Sequence, residues 1–136
     1  MKRFSAVTAI LVAITFAIIV PALELNDTHL TNPLWPEHAR LHEAWQLLSN
    51  ALIVLLAAWL VAARKAPLLG LALASIISLS FMFAWLTSDA YGGSMLHSDG
   101  TQMVVGGVNA AVLIVSFLFI LLGFAIMSER RLASNV

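Results

Sequence analysis

Four long apolar runs, separated by short polar interruptions, organise the chain. They cover 4–23, roughly 44–63, 67–88 and roughly 103–127, each close to the ~20 residues a helix needs to cross a bilayer. None alternates with period two, so barrel strands are not indicated. In lipid the backbone must satisfy its own hydrogen bonds, which makes these runs helices. With their polar flanks the helices are expected at about 4–23, 36–64, 67–89 and 102–128, in one domain spanning 1–136. The expected fold class is all-α: an integral membrane four-helix transmembrane bundle. Arg64-Lys65-Ala66 leaves room only for a tight turn, so the second and third runs should form an antiparallel hairpin. Long loops cover 24–43 and 89–102, the second broken by Gly92-Gly93 and Gly100.

The polar positions inside this pattern form stripes. Pro33 and Pro36 push the residues before them away from helical geometry, and Pro36 suits the first position of a helix. Nothing then breaks the second helix until Arg64. At 1.5 Å per residue it is ~42 Å long, more than the ~30 Å hydrocarbon core, so its first turns project into the interface. Trp35 and Trp45 read as interfacial aromatics. His38 and His42, four apart, share one face, with Trp45 and Ser49 following and Gln46 and Asn50 on the flank. Glu37 and Glu43 fall nearer the flanks, within reach of Arg40. In the third run Ser78, Trp85 and Asp89 line up. In the fourth, Gln102, Asn109 and Ser116 repeat every seven residues, with Gly106 on the same face. Thr8 and Thr15 mark a packing face of the first span, and Gly70, Ala74 and Ser78 form a small-residue seam. Polar faces should turn inward, since amides in lipid are costly.

Composition supports the membrane reading. Hydrophobic residues make up 61% and charged residues only 10%, against about 25% charged in a soluble domain. The net charge is zero, so nucleic acid is not an expected partner. Membrane lipids are, and a homo-oligomer is compatible with the pattern. The chain has no cysteine, which excludes thiolate metal sites and disulfides. Lys2, Arg3, Arg64, Lys65, Arg130 and Arg131 fall on one side of a four-span topology and Arg40 alone on the other. The positive-inside rule then puts both termini in the cytoplasm and the long loops outside, as in a bacterial inner (plasma) membrane protein. An alternative for the first run is a cleaved secretory signal ending near Val20-Pro21-Ala22, although its apolar core is longer than the usual 7–15 residues.

All four histidines (His29, His38, His42 and His97) lie in or beside the outer loops, and this concentrates the candidate chemistry there. His38 and His42 are the candidate acid and base, with Asp89 orienting one of them; Asp89 as a helix-end cap is the plain alternative. The same histidines, with the missing ligands supplied by His97, Asp89 or Asp99, are candidate ligands of a divalent metal, a mixed His/Asp set that suits zinc or iron. The pattern lacks the glutamate that follows the first histidine of a zincin helix, since Ala39 stands there. Paired mid-span histidines that would clamp a heme are missing, so no heme site is expected. Trp35, Gln46, Asn50, Trp85 and Asn109 are the candidate binding residues for a lipophilic small molecule; Asn50 and Asn109 serve equally well as helix-to-helix hydrogen bonders. Inverted halves and mid-span charges, the marks of a transporter, are missing.

The stretch from Thr28 to His42 resembles a signature, roughly His-x-x-Asn-Pro-x-Trp-Pro-x-His-Ala-Arg-x-His, of a largely uncharacterised group of small multi-span membrane proteins of bacteria and fungi. The matching residues are His29, Asn32, Pro33, Trp35, Pro36, His38, Ala39, Arg40 and His42, about a tenth of the chain. The resemblance implies four spans and a histidine-bearing outer rim, and no substrate. In size and layout the chain is also similar to sterol-isomerase-like and DoxX-like membrane proteins, but their catalytic carboxylates have no counterpart here. The expected function is proton-transfer or metal-assisted chemistry on a lipophilic molecule at the outer leaflet. The alternative is a non-enzymatic module that binds lipid, metal or a partner protein through its outer loops. Convergence of His38, His42 and Asp89 separates the two.

Overall fold

In the computed structural model, which describes residues 2–134, the first apolar run forms α1 (Lys2–Glu24). One turn of it, Thr15–Ile19, is a π-helix, closed by the Val20 N–H donating to the Thr15 carbonyl. The cause is two residues further on. Pro21 lacks an N–H, and its ring crowds the carbonyl four residues back, a conflict that a widened turn relieves. The widening has a consequence for direction. In a regular helix two residues eight apart lie ~80° out of register; the π turn absorbs one residue and keeps Phe16, Val20 and Glu24 on one side, where all three line the same cavity.

The remaining spans are α2 (Glu37–Ala62), α3 (Pro67–Leu86) and α4 (Ala110–Ala133). All four helices are long and apolar enough to cross a membrane. Each packs on the next, and α4 returns to α1, so α2 and α4 stand diagonally. The core is built at three- and four-residue spacing: Ala9, Val12 and Phe16 from α1, Val54, Ala57 and Val61 from α2, Leu71, Ala74 and Ile77 from α3, and Val115, Leu118, Leu122 and Ala125 from α4. Outside the core, side chains such as Ile18, Leu52, Ile76 and Phe117 are exposed, an apolar surface that fits lipid rather than water. The small-residue seam is present: Gly70, Ala74 and Ser78 are all buried. A Cβ on Gly70 would lie 2.6 Å from the Ala57 carbonyl oxygen and 2.8 Å from Val61 Cγ2, so glycine is what lets α3 approach α2 this closely.

One end of the bundle carries the basic residues. There α2 stops in a Schellman turn: the Arg64 N–H donates to the Val61 carbonyl and the Lys65 N–H to that of Leu60. Arg64 occupies the left-handed position (φ 58°) where glycine is usual. Its guanidinium donates two hydrogen bonds of 2.7 Å to the two carboxylate oxygens of Glu129 on α4. The pair joins the α2–α3 turn to the helix diagonal to α2.

The opposite end, here termed the loop end, departs from the sequence reading. The fourth helix begins at Ala110, not near 102. Residues 104–109 form a two-stranded antiparallel hairpin, β1 (Val104–Val105) and β2 (Val108–Asn109), paired Val104 with Asn109 and Val105 with Val108. Its turn is Gly106-Gly107, both at positive φ, the geometry of a tight two-residue hairpin. Gln102 and Gly106 are therefore not on a helix, and the seven-residue stripe through Gln102, Asn109 and Ser116 does not exist. Asn109 instead caps α4, its side-chain oxygen accepting from the Ala111 and Val112 N–H groups. The third helix ends at Leu86 and passes into a 3₁₀ turn, Ser88–Tyr91, so Asp89 leaves the stripe that Ser78 and Trp85 begin.

Candidate functional site

A cavity of about 670 Å³ lies at the loop end of the bundle, within the ~300–1,000 Å³ of typical small-molecule sites. Every helix supplies part of it. Phe16, Val20, Leu23 and Glu24 come from α1, Glu43, Gln46, Leu47 and Asn50 from α2, Ile77, Ser80, Phe81 and Ala84 from α3, and Ala111 and Val115 from α4. Its roof is loop: Asn26 and His29 after α1, Ser94 to His97 after α3, and Met103 and Asn109 from the hairpin region. The polarity is graded along the bundle. Glu24 and Phe16 are eight residues apart on α1, ~12 Å by helical rise. Across that depth the lining passes from carboxylates and imidazoles to Phe16, Ile77 and Val115.

The roof is held by local turns. Asn26 Oδ1 accepts from the Thr28 N–H and hydroxyl, and the buried Asn32 accepts from the Leu34 N–H, an arrangement that asparagine side chains favour in turns. In the second loop Asp99 Oδ1 accepts from the Thr101 N–H and hydroxyl; these bonds hold its carboxyl below the usual aspartate range. The two loops meet where Ser98 Oγ donates to the Thr28 carbonyl and the His29 and His97 rings pack edge to face, 4.8 Å apart. Trp35 meets His29 from another side at 6.2 Å. His29 Nε2 lies 3.4 Å from Glu24, a long contact. Burial, and then the neighbouring His97, push the His29 pKa below its ordinary value, while Asp99 pulls the other way. The neutral imidazole is thus the favoured form, with Thr28 Oγ1 2.8 Å from its Nδ1.

No family model, curated protein or solved structure matches the chain. The site therefore stands on its own geometry.

The residues expected to carry the chemistry are redistributed. His38 and His42 do stack, with Nε2 atoms 2.9 Å apart and ring centroids 4.4 Å apart, but both are exposed and neither lines the cavity. Trp45 continues their face, 5.9 Å from His42. That face points away from the core because the buried residues of α2 are Leu47, Val54, Ala57 and Val61. Asp89 is exposed on the 3₁₀ turn, and no hydrogen bond or ion pair joins it to either histidine among the described residues. His97 sits on His29, not with His38 and His42, so the expected metal set does not form. Among the described residues no group of three or more His, Asp or Glu is placed to hold a metal ion.

Of the expected binding residues, Gln46, Asn50 and Asn109 line the cavity, while Trp35 and Trp85 do not. Sequence reasoning missed Glu24 and Glu43. The flank pairing of Glu37 and Glu43 with Arg40 does not occur; among the described residues the ion pair is Arg64 with Glu129, while Glu24 contacts the neutral ring of His29. The signal for Glu43 was readable, because the buried stripe of α2 at 47, 54, 57 and 61 extends back through 50 to 43. Glu24 had no such signal, since its direction depends on the π turn.

Proposed function

We propose that the chain is an integral membrane protein that takes a lipophilic small molecule into the loop-end cavity and exchanges a proton with it through Glu24 and His29. The observation that carries this reading is the cavity itself. It has an apolar floor and a rim of a few convergent polar groups, the usual make-up of a small-molecule site. Glu24 and His29 are the pair in contact at that rim. A carboxyl and a neutral imidazole side by side can give and take a proton near neutral pH. Lys2, Arg3, Arg64, Lys65, Arg130 and Arg131 at the opposite end favour a cytoplasmic basic end, with the cavity opening towards the external side of a bacterial plasma membrane.

The test uses the full chain in lipid nanodiscs. Lipophilic molecules that co-purify with it are identified by mass spectrometry and incubated with it in deuterated water. The expected result is a molecule retained by the wild type, lost from Ala84→Trp, which blocks the exposed cavity edge, and labelled at a carbon-bound position only with the wild type. Retention without labelling, or labelling unchanged in both Glu24→Gln and His29→Gln, removes the proton-transfer step and leaves the second reading, a binding module using the same cavity. Equal retention by wild type and Ala84→Trp removes the cavity as the site.

A further inference from the structure

The ionisable groups of the cavity are unbalanced. Glu24 and Glu43 both line it, and no lysine or arginine is among the lining residues. Arg40, the nearest in sequence, forms no ion pair among the described residues. His29 and His97 are engaged with each other. Glu43 is half-buried and makes neither an ion pair nor a side-chain hydrogen bond with any described residue. A carboxylate taken partly out of water without a partner is costly, and two of them on one low-dielectric cavity repel more strongly than in water.

Hydrogen-bonding capacity is also left open at that place. Among the described residues the carboxamides of Gln46 and Asn50 find no side-chain partner, and both follow Glu43 into the cavity on the same side of α2. Carboxylates and carboxamide oxygens accept from N–H donors. Deeper in, Phe16, Ile77, Phe81 and Val115 offer only apolar contact. An anionic amphiphile would meet two carboxylates, and a neutral one would leave Glu43 unpaired. A hydrated inorganic cation would have no use for the apolar floor. The complement of the whole cavity is an ammonium head that donates N–H groups, joined to an apolar body.

From this charge complementarity we infer that the ligand class is a lipophilic amine bound as its protonated cation, its nitrogen held at Glu24 and Glu43 and its apolar part directed towards Phe16 and Ile77. The inference rests on the reading of the cavity as a lipophilic-molecule site and adds the charge of the occupant. Gln46 and Asn50 accept the remaining N–H bonds. One cation between the two carboxylates removes their mutual repulsion and supplies the partner that Glu43 lacks, which neither histidine does.

Three probes with the same dodecyl chain separate the possibilities: dodecylamine, dodecanol and dodecanoate. Each is titrated onto the full chain in nanodiscs of zwitterionic phosphatidylcholine, so that the bilayer surface does not itself collect cations. Binding is read by native mass spectrometry and as a shift in unfolding temperature. The amine is expected to bind at least about tenfold more tightly than either other probe. Glu24→Gln and Glu43→Gln should each remove most of that preference, read as the ratio of amine to dodecanol affinity, while helical circular dichroism reports that the variants are folded. Glu43→Asp should retain part of it. Equal binding of amine and dodecanol, or an amine preference untouched in Glu24→Gln/Glu43→Gln, overturns the cation inference and leaves the lipophilic cavity standing. If no probe binds the wild type, or all bind equally to Ala84→Trp, the cavity reading fails together with it.

Discussion

Removing the Arg64 guanidinium should loosen the basic end by an amount that the geometry brackets. Fully buried ion pairs cost about 3–5 kcal/mol when one partner is deleted, while exposed pairs are worth about 0–1 kcal/mol. This pair is intermediate, because the Arg64 side chain is 35% exposed and that of Glu129 only 2%. Arg64→Ala is therefore expected to destabilise by about 2–3 kcal/mol, roughly a 30- to 140-fold shift in the unfolding equilibrium. A second term can be separated from the first. Arg64 holds a left-handed backbone, which costs an L-residue about 1–2 kcal/mol. Arg64→Gly loses the same ion pair but is relieved of that cost, so it should be more stable than Arg64→Ala by about 1 kcal/mol. Adding Glu129→Leu to Arg64→Ala should restore most of the loss, since the stranded carboxylate is gone. The assay is equilibrium unfolding in mixed micelles, followed by helical circular dichroism. A loss below about 0.5 kcal/mol in Arg64→Ala would show that solvent already satisfies Glu129. Equal stability of the Ala and Gly variants would refute the account of the turn.

Two further expectations test the core and the roof. Gly70→Ala should destabilise by about 1–3 kcal/mol, because the new methyl meets the Ala57 carbonyl and Val61; Gly123→Ala in α4, with nothing within 4 Å of its Cβ position, should instead gain up to about 1 kcal/mol of helix propensity, and a reversed order would show that α2 and α3 can part without penalty. The roof should open on acidification: since the His29 pKa lies below its unfolded value of 6.5, the opened form binds more protons, and closure weakens as pH falls from 6.5 towards the lowered value. Hydrogen exchange at 26–32 and 96–101, corrected for its intrinsic pH dependence, should show protection at about pH 7 that weakens as pH falls below about 6.5, and an unchanged pH response in His29→Gln would show that His29 is not what senses it.

The four helices were legible because a helix long and apolar enough to cross a membrane leaves a strong mark, about 20 apolar residues at a time. The Gly70 seam was legible for the same kind of reason, since close helix approach in lipid selects small side chains at fixed spacing. Reading failed at the loop end, where hydropathy is a poor guide. Met103, Val104, Val105 and Val108 look like the start of an apolar helix, but Gly106-Gly107 turns them back as a hairpin, and the run of valines fits a strand as well as a helix. The histidines misled in another way. Spacing placed His38 and His42 on one face, correctly, but spacing alone does not say which face meets the core. In the signature-like stretch the consequential residues are the quieter ones. Asn32 is buried and ties the turn before Leu34, and Trp35 packs on His29.

The contacts that close the two ends of the bundle span long stretches of chain. Arg64 and Glu129 are 65 residues apart, and Ser98 and Thr28 are 70 apart. At synthesis rates of about 5–20 residues per second, α1 and α2 exist for about 2–7 s before Ser98, the first of the missing partners, is made. During that interval Glu24 and Glu43 are already in place, with neither α4 nor the roof to enclose them. The cavity is thus completed only when α4 arrives with Ala111 and Val115, and a chain cut short before α4 leaves α1, α2 and α3 around an acidic wall that is open on one side.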